Sequence, residues 1–259
     1  MNITLLSEEH KENWNKLVNE TSTGHVLQTW EYGDVRIESG THVDRIGIFD
    51  KDTLIGGAQL SLHSIPKLPF KIGYIARGPV LQEHTSKSLS AFLHYIKTYA
   101  SQNNVAFIKL EPNVRLDSPE ISLWKEQFRS FGIKHSSNPR FMNATSIIDL
   151  SQPEDTLLAH CRKNTRYYIR KAEREHIVFE EAQTKDDVSL FYSLLTETAS
   201  RQNFSLAARP LSYFENIWDQ FHQDTLSRDK ALRIFFAKIN DTPVATTMNI
   251  YSGSTAYYP

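Results

Sequence analysis

Apolar residues recur at helical spacing in several segments of the chain. In the clearest of these, residues 85–104, the side chains of Leu89, Phe92, Leu93 and Ile96 share one side of a helix. This spacing predicts an amphipathic helix packed on a core. The same criterion, together with capping residues, predicts further helices. They cover residues 7–19, 25–40, 123–132, 188–202 and 211–223. A further helix begins at Ser151, which forms a capping box with Glu154.

Short runs rich in β-branched and aromatic residues predict strands that alternate with these helices. Two pairs of runs are hairpins, with polar turns at Lys51–Asp52 and Asn240–Asp241. The predicted strands are 43–50, 53–62, 71–80, 105–112, 143–150, 177–182, 232–239 and 242–253, followed by the short run 254–259. The order of elements predicts an α/β fold with mixed sheets.

The two hairpins also resemble each other. Segments 45–60 and 233–250 both contain a strand, a polar Asp-Thr turn and a strand of small and apolar residues. This similarity predicts two copies of one α/β unit, domain 1 at 1–150 and domain 2 at 151–259. About 90 residues follow the first hairpin within its copy but only about 10 follow the second, so we expect the second domain to be incomplete. The alternative is that any two hairpins look alike over this length.

Composition narrows the class of protein. The chain has 259 residues, 40% of them hydrophobic, a formal net charge of -1 and a single cysteine, Cys161. No global field draws it to nucleic acid or membrane, and an intramolecular disulfide is excluded, which fits a reducing compartment. With no secretory signal pattern at the N-terminus and no apolar run of 18 residues, the sequence predicts a cytoplasmic protein.

Arginines recur every four residues from 162 to 174. On one continuous helix, Arg162, Arg166, Arg170 and Arg174 would form a drifting stripe beside a core face, with Lys163 adding charge. Like charges at this spacing repel by roughly 0.2–0.5 kcal/mol per pair. The stripe is either a solvated basic face with apolar stems or a site for phosphate or nucleic acid, which arginine recognises in a bidentate geometry. The predicted core face contains Leu157, Leu158, Cys161, Thr165, Tyr168, Ile169, Ala172 and His176.

Other candidate ligand contacts are isolated. Arg77 lies at a strand end before Gly78-Pro79, a common position for a ligand contact or a simple turn. Trp30, Tyr32 and Arg36 lie on one short segment and could stack on a nucleotide. The sequence has no P-loop, no GxGxxG after a strand, no HExxH and no GxSxG, and a single cysteine cannot form a Cys-rich zinc site.

Several blocks of sequence resemble the FemA/FemB/FemX aminoacyltransferases of peptidoglycan interpeptide-bridge formation. They are LQTWEYGDVRI with the hairpin after it, GYIARGPVL, SQPEDTLLAHCRKNTRYYIRKAERE, LLTETASRQNF and the final hairpin ending in AYYP. The resemblance runs over nearly the whole chain. It implies two acyltransferase domains related to GNAT N-acetyltransferases. It also implies transfer of an amino acid from aminoacyl-tRNA to the stem peptide of lipid II or UDP-MurNAc-pentapeptide, with peripheral membrane contact among the expected interactions.

The resemblance also implies roles for individual residues. Contacts to the precursor diphosphate fall on Arg36 and Arg166, and the aromatic residue after the last hairpin is Tyr257. Together with Arg77, Arg162, Lys163 and Arg170, these are the predicted substrate-binding residues; no catalytic base is predicted, and neither a metal nor a cofactor is expected. The alternatives are an acyl-CoA-dependent GNAT N-acyltransferase, although its pyrophosphate loop has no match here, and a noncatalytic RNA-binding protein or fragment.

Overall fold

The computed structural model describes residues 1–141, 144–222 and 231–258. The first part of the chain forms a sheet with flanking helices, and the short 3-10 helices Glu8–His10 and Val26–Gln28 precede α1 and α2. Its elements are β1 (Asn2–Leu5), α1 (Lys11–Glu20), α2 (Trp30–Glu38), β2 (His42–Asp50), β3 (Thr53–Ser64), β4 (Lys71–Ala76), β5 (Val80–Leu81), α3 (Ser86–Gln102), β6 (Val105–Glu111) and α4 (Ile121–Ser130). The later elements are α5 (Glu154–His160), α6 (Lys163–Arg174), β7 (Val178–Glu181), α7 (Asp187–Gln202), α8 (Leu211–Phe221), β8 (Leu232–Ile239), β9 (Thr242–Ser252) and β10 (Thr255–Tyr257).

The first sheet is mixed. Its order is β1-β2-β3-β4-β6, with β5 paired to β3, and only the β4–β6 pair is parallel. Helix α3 lies in the connection from β4 to β6, as a parallel pair requires. Ala76 is in register with Glu111, so these two strands end side by side. The turn Arg77-Gly78-Pro79 follows β4 directly.

The core of this sheet confirms the clearest sequence pattern. Leu89, Phe92, Leu93 and Ile96 of α3 are buried in one cluster with sheet residues such as Ile75. A second cluster joins α1 and α2 to the end of the sheet through Trp14, Leu17, Val18, Trp30 and Val80. Ser7 begins the first helical segment as predicted, and its capping box is completed by the ring of His10 rather than by a carboxylate.

The second sheet has the order β10-β9-β8-β7. Strands β7 and β8 are antiparallel, with Phe179 opposite Ala237. Asn240 and Asp241 both have positive φ, 47° and 61°, which is the backbone of a two-residue type I′ hairpin turn. The predicted hairpin is therefore confirmed.

The described residues cluster into two compact units. Unit 1 contains Met1–His135, Ala207–Leu232 and Asn249–Pro259, and unit 2 contains Ser136–Leu206 and Arg233–Met248. Both units are discontinuous in sequence. The domains expected at 1–150 and 151–259 are a different division of the chain, and they stay a prediction.

Two predicted elements are wrong. The segment 144–149, part of the predicted strand 143–150, has no regular structure, and Ile147 and Ile148 are 73% and 69% exposed. Its apolar residues pair with no strand among the described residues, so β-propensity alone does not order them. Asn143, Gln223 and Pro259, at the ends of three predicted elements, lie outside the described residues.

The helix predicted to begin at Ser151 is interrupted. Ser151 donates a hydrogen bond to Asp149 Oδ1 (2.7 Å) instead of capping, and Pro153 is the N-cap of α5. Cys161 and Arg162 have extended backbones with ψ of 149° and 150°, so α5 ends before them and α6 begins after them. The continuous core face predicted from 157 to 176 does not form, and neither α5 nor α6 contains a buried residue.

Candidate functional site

A buried polar network fixes the start of α2 in unit 1. The side chain of Gln28, fully buried, donates to the Ala76 carbonyl (2.6 Å) and accepts from the Gln59 amide (2.8 Å). The Gln59 side chain in turn donates to the carbonyl of Thr29, the N-cap of α2. These bonds use both polar atoms of the Gln28 side chain and Nε2 of Gln59, while Gln59 Oε1 has no partner among the described residues. The network therefore sets where α2 lies on β3.

Arg36 lies on α2 near the polar face of β3. Its Nη1 donates to Ser61 Oγ (3.1 Å), and its guanidinium lies 5.1 Å from the centre of the Tyr32 ring. Arg36 forms no salt bridge with a carboxylate of the described residues. Its charge is therefore held in place by a hydroxyl and a ring, which leaves it available to an anionic ligand.

Two tyrosine hydroxyls and a second arginine complete this group. The hydroxyls of Tyr32 and Tyr213 are 3.2 Å apart, because α8 packs on α2. Burial raises the pKa of Tyr213, and the Tyr32 hydroxyl adds to this effect, while the positive charges of Arg209 and Arg36 oppose it. We call Tyr32, Arg36, Arg209 and Tyr213 the arginine–tyrosine cluster.

The arrangement of this cluster suits a phosphate group. The positive charges of Arg209 and Arg36 act on Tyr213, and the paired hydroxyls of Tyr213 and Tyr32 can each donate and accept hydrogen bonds. Arg209 is exposed and directly precedes Pro210, the N-cap of α8. Sequence analysis missed Arg209, because no motif connects it to Arg36, which lies 173 residues earlier in the chain.

A second group forms around the turn after β4. The rings of His25 and Tyr257 lie 4.5 Å apart between centroids. Burial, and then the charge of Arg77, lowers the pKa of His25 to about 3. Burial raises the pKa of Tyr257, an effect that the Thr255 hydroxyl, the Val26 backbone and the Arg77 charge oppose. We call His25, Arg77 and Tyr257 the histidine–tyrosine cluster; it brings together two of the predicted site residues and one residue that the sequence did not indicate.

A small polar pocket adjoins this second cluster. Its volume is about 120 Å³, and Tyr257 forms part of its wall. The other lining residues come from the end of α1, the loop after it and the β9–β10 turn: Val18, Asn19, Thr21, Ser22, Gly24, Ser252, Ser254 and Thr255. The exposed surface of this lining is mainly polar, so the pocket suits a small polar ligand.

The remaining predicted site residues lie in unit 2. Arg162 is the N-cap of α6, outside the helix, so the four-arginine stripe on one helix is wrong at its first member. Lys163 and Arg170 are exposed, and neither forms an ion pair with the described residues. Arg166 Nη1 donates to the carbonyls of Ala159 (3.2 Å) and Cys161, which are left open where α5 ends. Arg166 therefore has a structural contact that the sequence did not predict.

The comparison with family models decides the relationship. The FemAB family model matches residues 9–240. The chain belongs to the FemAB family. The family resemblance given by the sequence blocks is therefore confirmed.

Two relatives of this chain come from staphylococci. The lipid II:glycine glycyltransferase of Staphylococcus epidermidis is 28% identical over 259 residues, which cover 96% of this chain and 58% of the relative. The enzyme of the same description from Staphylococcus aureus is 28% identical over 234 residues, covering 86% and 52%. The chain therefore spans a little over half the length of these relatives.

A solved structure shares the fold of this chain. The crystal structure of FemX matches with a TM-score of 0.83 at 19% identity and covers all of this chain and 79% of that chain. The mixed α/β fold class predicted from the sequence is confirmed. In the part of the chain that the structure describes, no helix has the length and apolar character to cross a membrane. The same residues contain no group of three or more metal-ligating side chains.

Proposed function

We propose that this FemAB family chain moves an amino acid from aminoacyl-tRNA to the stem peptide of a peptidoglycan precursor. The acceptor is lipid II or UDP-MurNAc-pentapeptide. The relatives named as lipid II:glycine glycyltransferases support this reaction class and make glycine the first amino acid to test. The single observation that carries the proposal is the arginine–tyrosine cluster, since both acceptors carry a diphosphate.

The cluster contributes by positioning. Arg36 and Arg209 bind the diphosphate, and the Tyr32–Tyr213 hydroxyl pair, held in register by α2 and α8, accepts or donates the remaining hydrogen bonds. The acceptor amine is thereby fixed relative to the aminoacyl ester. Because the ester is already activated, orientation can supply much of the rate acceleration. The amine then attacks the ester carbon directly, and the ribose hydroxyl leaves.

The proposal predicts the effect of removing either arginine. Arg36→Ala and Arg209→Ala should each weaken binding of UDP-MurNAc-pentapeptide by about 10–100-fold, since a charge-assisted hydrogen bond is worth about 1.5–3 kcal/mol. Calorimetric titration measures this binding, and the affinity of the wild type should fall as salt is added. Arg129→Ala, an arginine near the end of α4, is the matched control. Equal affinities for all four proteins would contradict the assignment of the cluster.

The reaction itself is tested with charged tRNA. Wild-type protein, glycyl-tRNA and either acceptor should give a product heavier by one glycine residue, read by mass spectrometry. Other small aminoacyl-tRNAs follow in the same assay. A folded wild type that yields no product with either acceptor would refute the proposal. Transfer from acetyl-CoA instead of tRNA would replace it with a CoA-dependent reaction.

A further inference from the structure

His25 has a defined proton position. It is the N-cap of the short helix Val26–Gln28, and its Nδ1 accepts a hydrogen bond from the Leu27 amide (3.1 Å). A ring nitrogen that accepts cannot carry the proton of a neutral imidazole, so this proton lies on Nε2. Nε2–H donates to none of the described residues, and the side chain is only partly buried. His25 therefore presents one directed donor that has no partner among the described residues.

The surroundings keep this donor constant with pH. Burial and the charge of Arg77 lower the pKa of His25 to about 3, so the ring is neutral throughout the physiological range. A neutral imidazole with a fixed tautomer donates a hydrogen bond without releasing or taking up a proton. Its properties suit an acceptor oxygen that gains negative charge during a reaction.

The neighbouring groups support the same use. The positive charge of Arg77 acts on both His25 and Tyr257. The Tyr257 ring, which packs on His25, is also a wall of the pocket of about 120 Å³. The pocket is small and its exposed lining is mainly polar, so it suits a small aminoacyl group.

We propose that the Nε2–H of His25 donates to the carbonyl oxygen of the aminoacyl ester during transfer. This inference rests on the proposed function. The amine nitrogen forms a bond to the ester carbon, and the carbonyl electron pair moves to oxygen, where the Nε2–H donor stabilises it. When this pair returns, the bond from carbon to the ribose oxygen breaks, and that oxygen takes the proton lost by the amine. His25 keeps its own proton throughout.

Two substitutions separate the donor from the cap. In His25→Asn, Oδ1 replaces Nδ1 as the acceptor for the Leu27 amide, and asparagine is a preferred N-cap, but no donor reaches the Nε2 position. In His25→Gln, the side-chain amide reaches the Nε2 position, but the cap is lost. His135→Asn, at an exposed histidine of the same unit, is the control. Thermal unfolding of all variants shows whether each is folded under assay conditions.

The donor role predicts a specific kinetic pattern. His25→Asn should lower kcat by about 10²-fold, the usual effect of removing one oxyanion donor. The KM for the precursor should stay unchanged. The kcat of His25→Gln should be much closer to that of the wild type than the kcat of His25→Asn is. Wild-type kcat in a folded His25→Asn variant would overturn the inference and leave the proposed function intact. Losses of kcat that simply follow the loss of thermal stability across the variants would also overturn the inference.

A spectroscopic measurement tests His25 without any turnover. A long-range ¹H–¹⁵N spectrum of the wild type should show an unprotonated Nδ1 and a protonated Nε2 from pH 5 to pH 8. A proton on Nδ1, or titration of the ring near pH 6.5, would overturn the inference whatever the activity. Absence of transfer by the folded wild type would refute the proposed function, and the acyl role of His25 with it.

Discussion

Gly33 tests how strictly α2 is positioned. A Cβ atom built on Gly33 would lie 1.9 Å from Gln59 Oε1 and 2.7 Å from Arg45 Nη2. Both distances are far below van der Waals contact, so Gly33→Ala must displace both side chains. Gln59 is 4% exposed and belongs to the network that fixes the start of α2. The substitution therefore acts on the helix that carries Tyr32 and Arg36.

The expected magnitude is a balance of opposing effects. Alanine in place of glycine within a helix stabilises it by about 1 kcal/mol. Overpacking a buried site costs about 1–3 kcal/mol, and each buried hydrogen bond lost, such as that from Gln59 to Thr29, costs about 1 kcal/mol. The cost exceeds the propensity gain, so the free energy of unfolding should fall by about 2 kcal/mol, which corresponds to a Tm lower by about 4–8 °C.

A double-mutant cycle identifies the cause. Thermal and urea unfolding are measured for the wild type, Gly33→Ala, Gln59→Ala and the double variant. Without the Gln59 side chain the main clash is absent, and Gly33→Ala should become neutral or slightly stabilising, with a coupling energy of about 2 kcal/mol. Additive effects, or a Tm that rises when Gly33→Ala is made alone, would refute this account of how α2 packs.

The remaining predictions concern Arg166 and the pH dependence of stability. Arg166→Ala should lower the local free energy of unfolding of α5 by about 1–2 kcal/mol, because two carbonyls lose their charged donor, and faster amide hydrogen exchange in α5 would reveal it; exchange equal to that of an Arg170→Ala control would contradict this role. The folded state lowers the pKa of His25 from 6.5 to about 3, so below pH 6.5 the unfolded state binds a proton that the folded state does not. The contribution of neutral His25 to the free energy of unfolding is therefore present above pH 6.5 and is lost as the pH falls toward 3. The loss at pH 5 should be about 2 kcal/mol, measured by urea unfolding at pH 7 and pH 5, and an equal loss in His25→Asn would contradict it.

Sequence patterns predict an element correctly when the residues that stabilise it lie within that element or directly beside it. Helix α3 follows from an apolar face that one core cluster buries. The β8–β9 hairpin follows from a two-residue Asn-Asp turn with both residues at positive φ. In each case the residues that determine the element lie within it or directly beside it, so sequence periodicity and turn chemistry are sufficient.

The same patterns fail where the deciding contact is elsewhere. The run 144–149 has strand-like composition, but strand formation needs a partner edge, and none of the described strands pairs with it. The break at Cys161 and Arg162 has no proline or glycine to announce it. It is accompanied by Arg166, whose side chain turns back onto the carbonyls of Ala159 and Cys161 at the end of α5, a contact that periodicity cannot reveal.

The candidate site was predictable only in part, for a similar reason. The sequence indicated Arg36, Arg77 and Tyr257 one by one, through a family resemblance and a turn. It did not indicate that Arg77 and Tyr257 share a cluster, nor that Arg209 joins Arg36. These groupings depend on the packing of segments far apart in the chain, and one sequence carries no signal for such contacts.

Both clusters of unit 1 depend on one short stretch of chain. His25 belongs to the histidine–tyrosine cluster, and Tyr32 and Arg36 belong to the arginine–tyrosine cluster, while Gln28 lies between them in sequence. Gln28 is hydrogen-bonded to β3 and to the last residue of β4, so the backbone that carries both clusters is tied to the sheet at that point. Residues on an element locked by buried hydrogen bonds keep their geometry better than residues on a free loop. A substitution of Gln28 should therefore disturb anion binding and acyl transfer together, whereas substitutions at Arg36 or His25 should separate them.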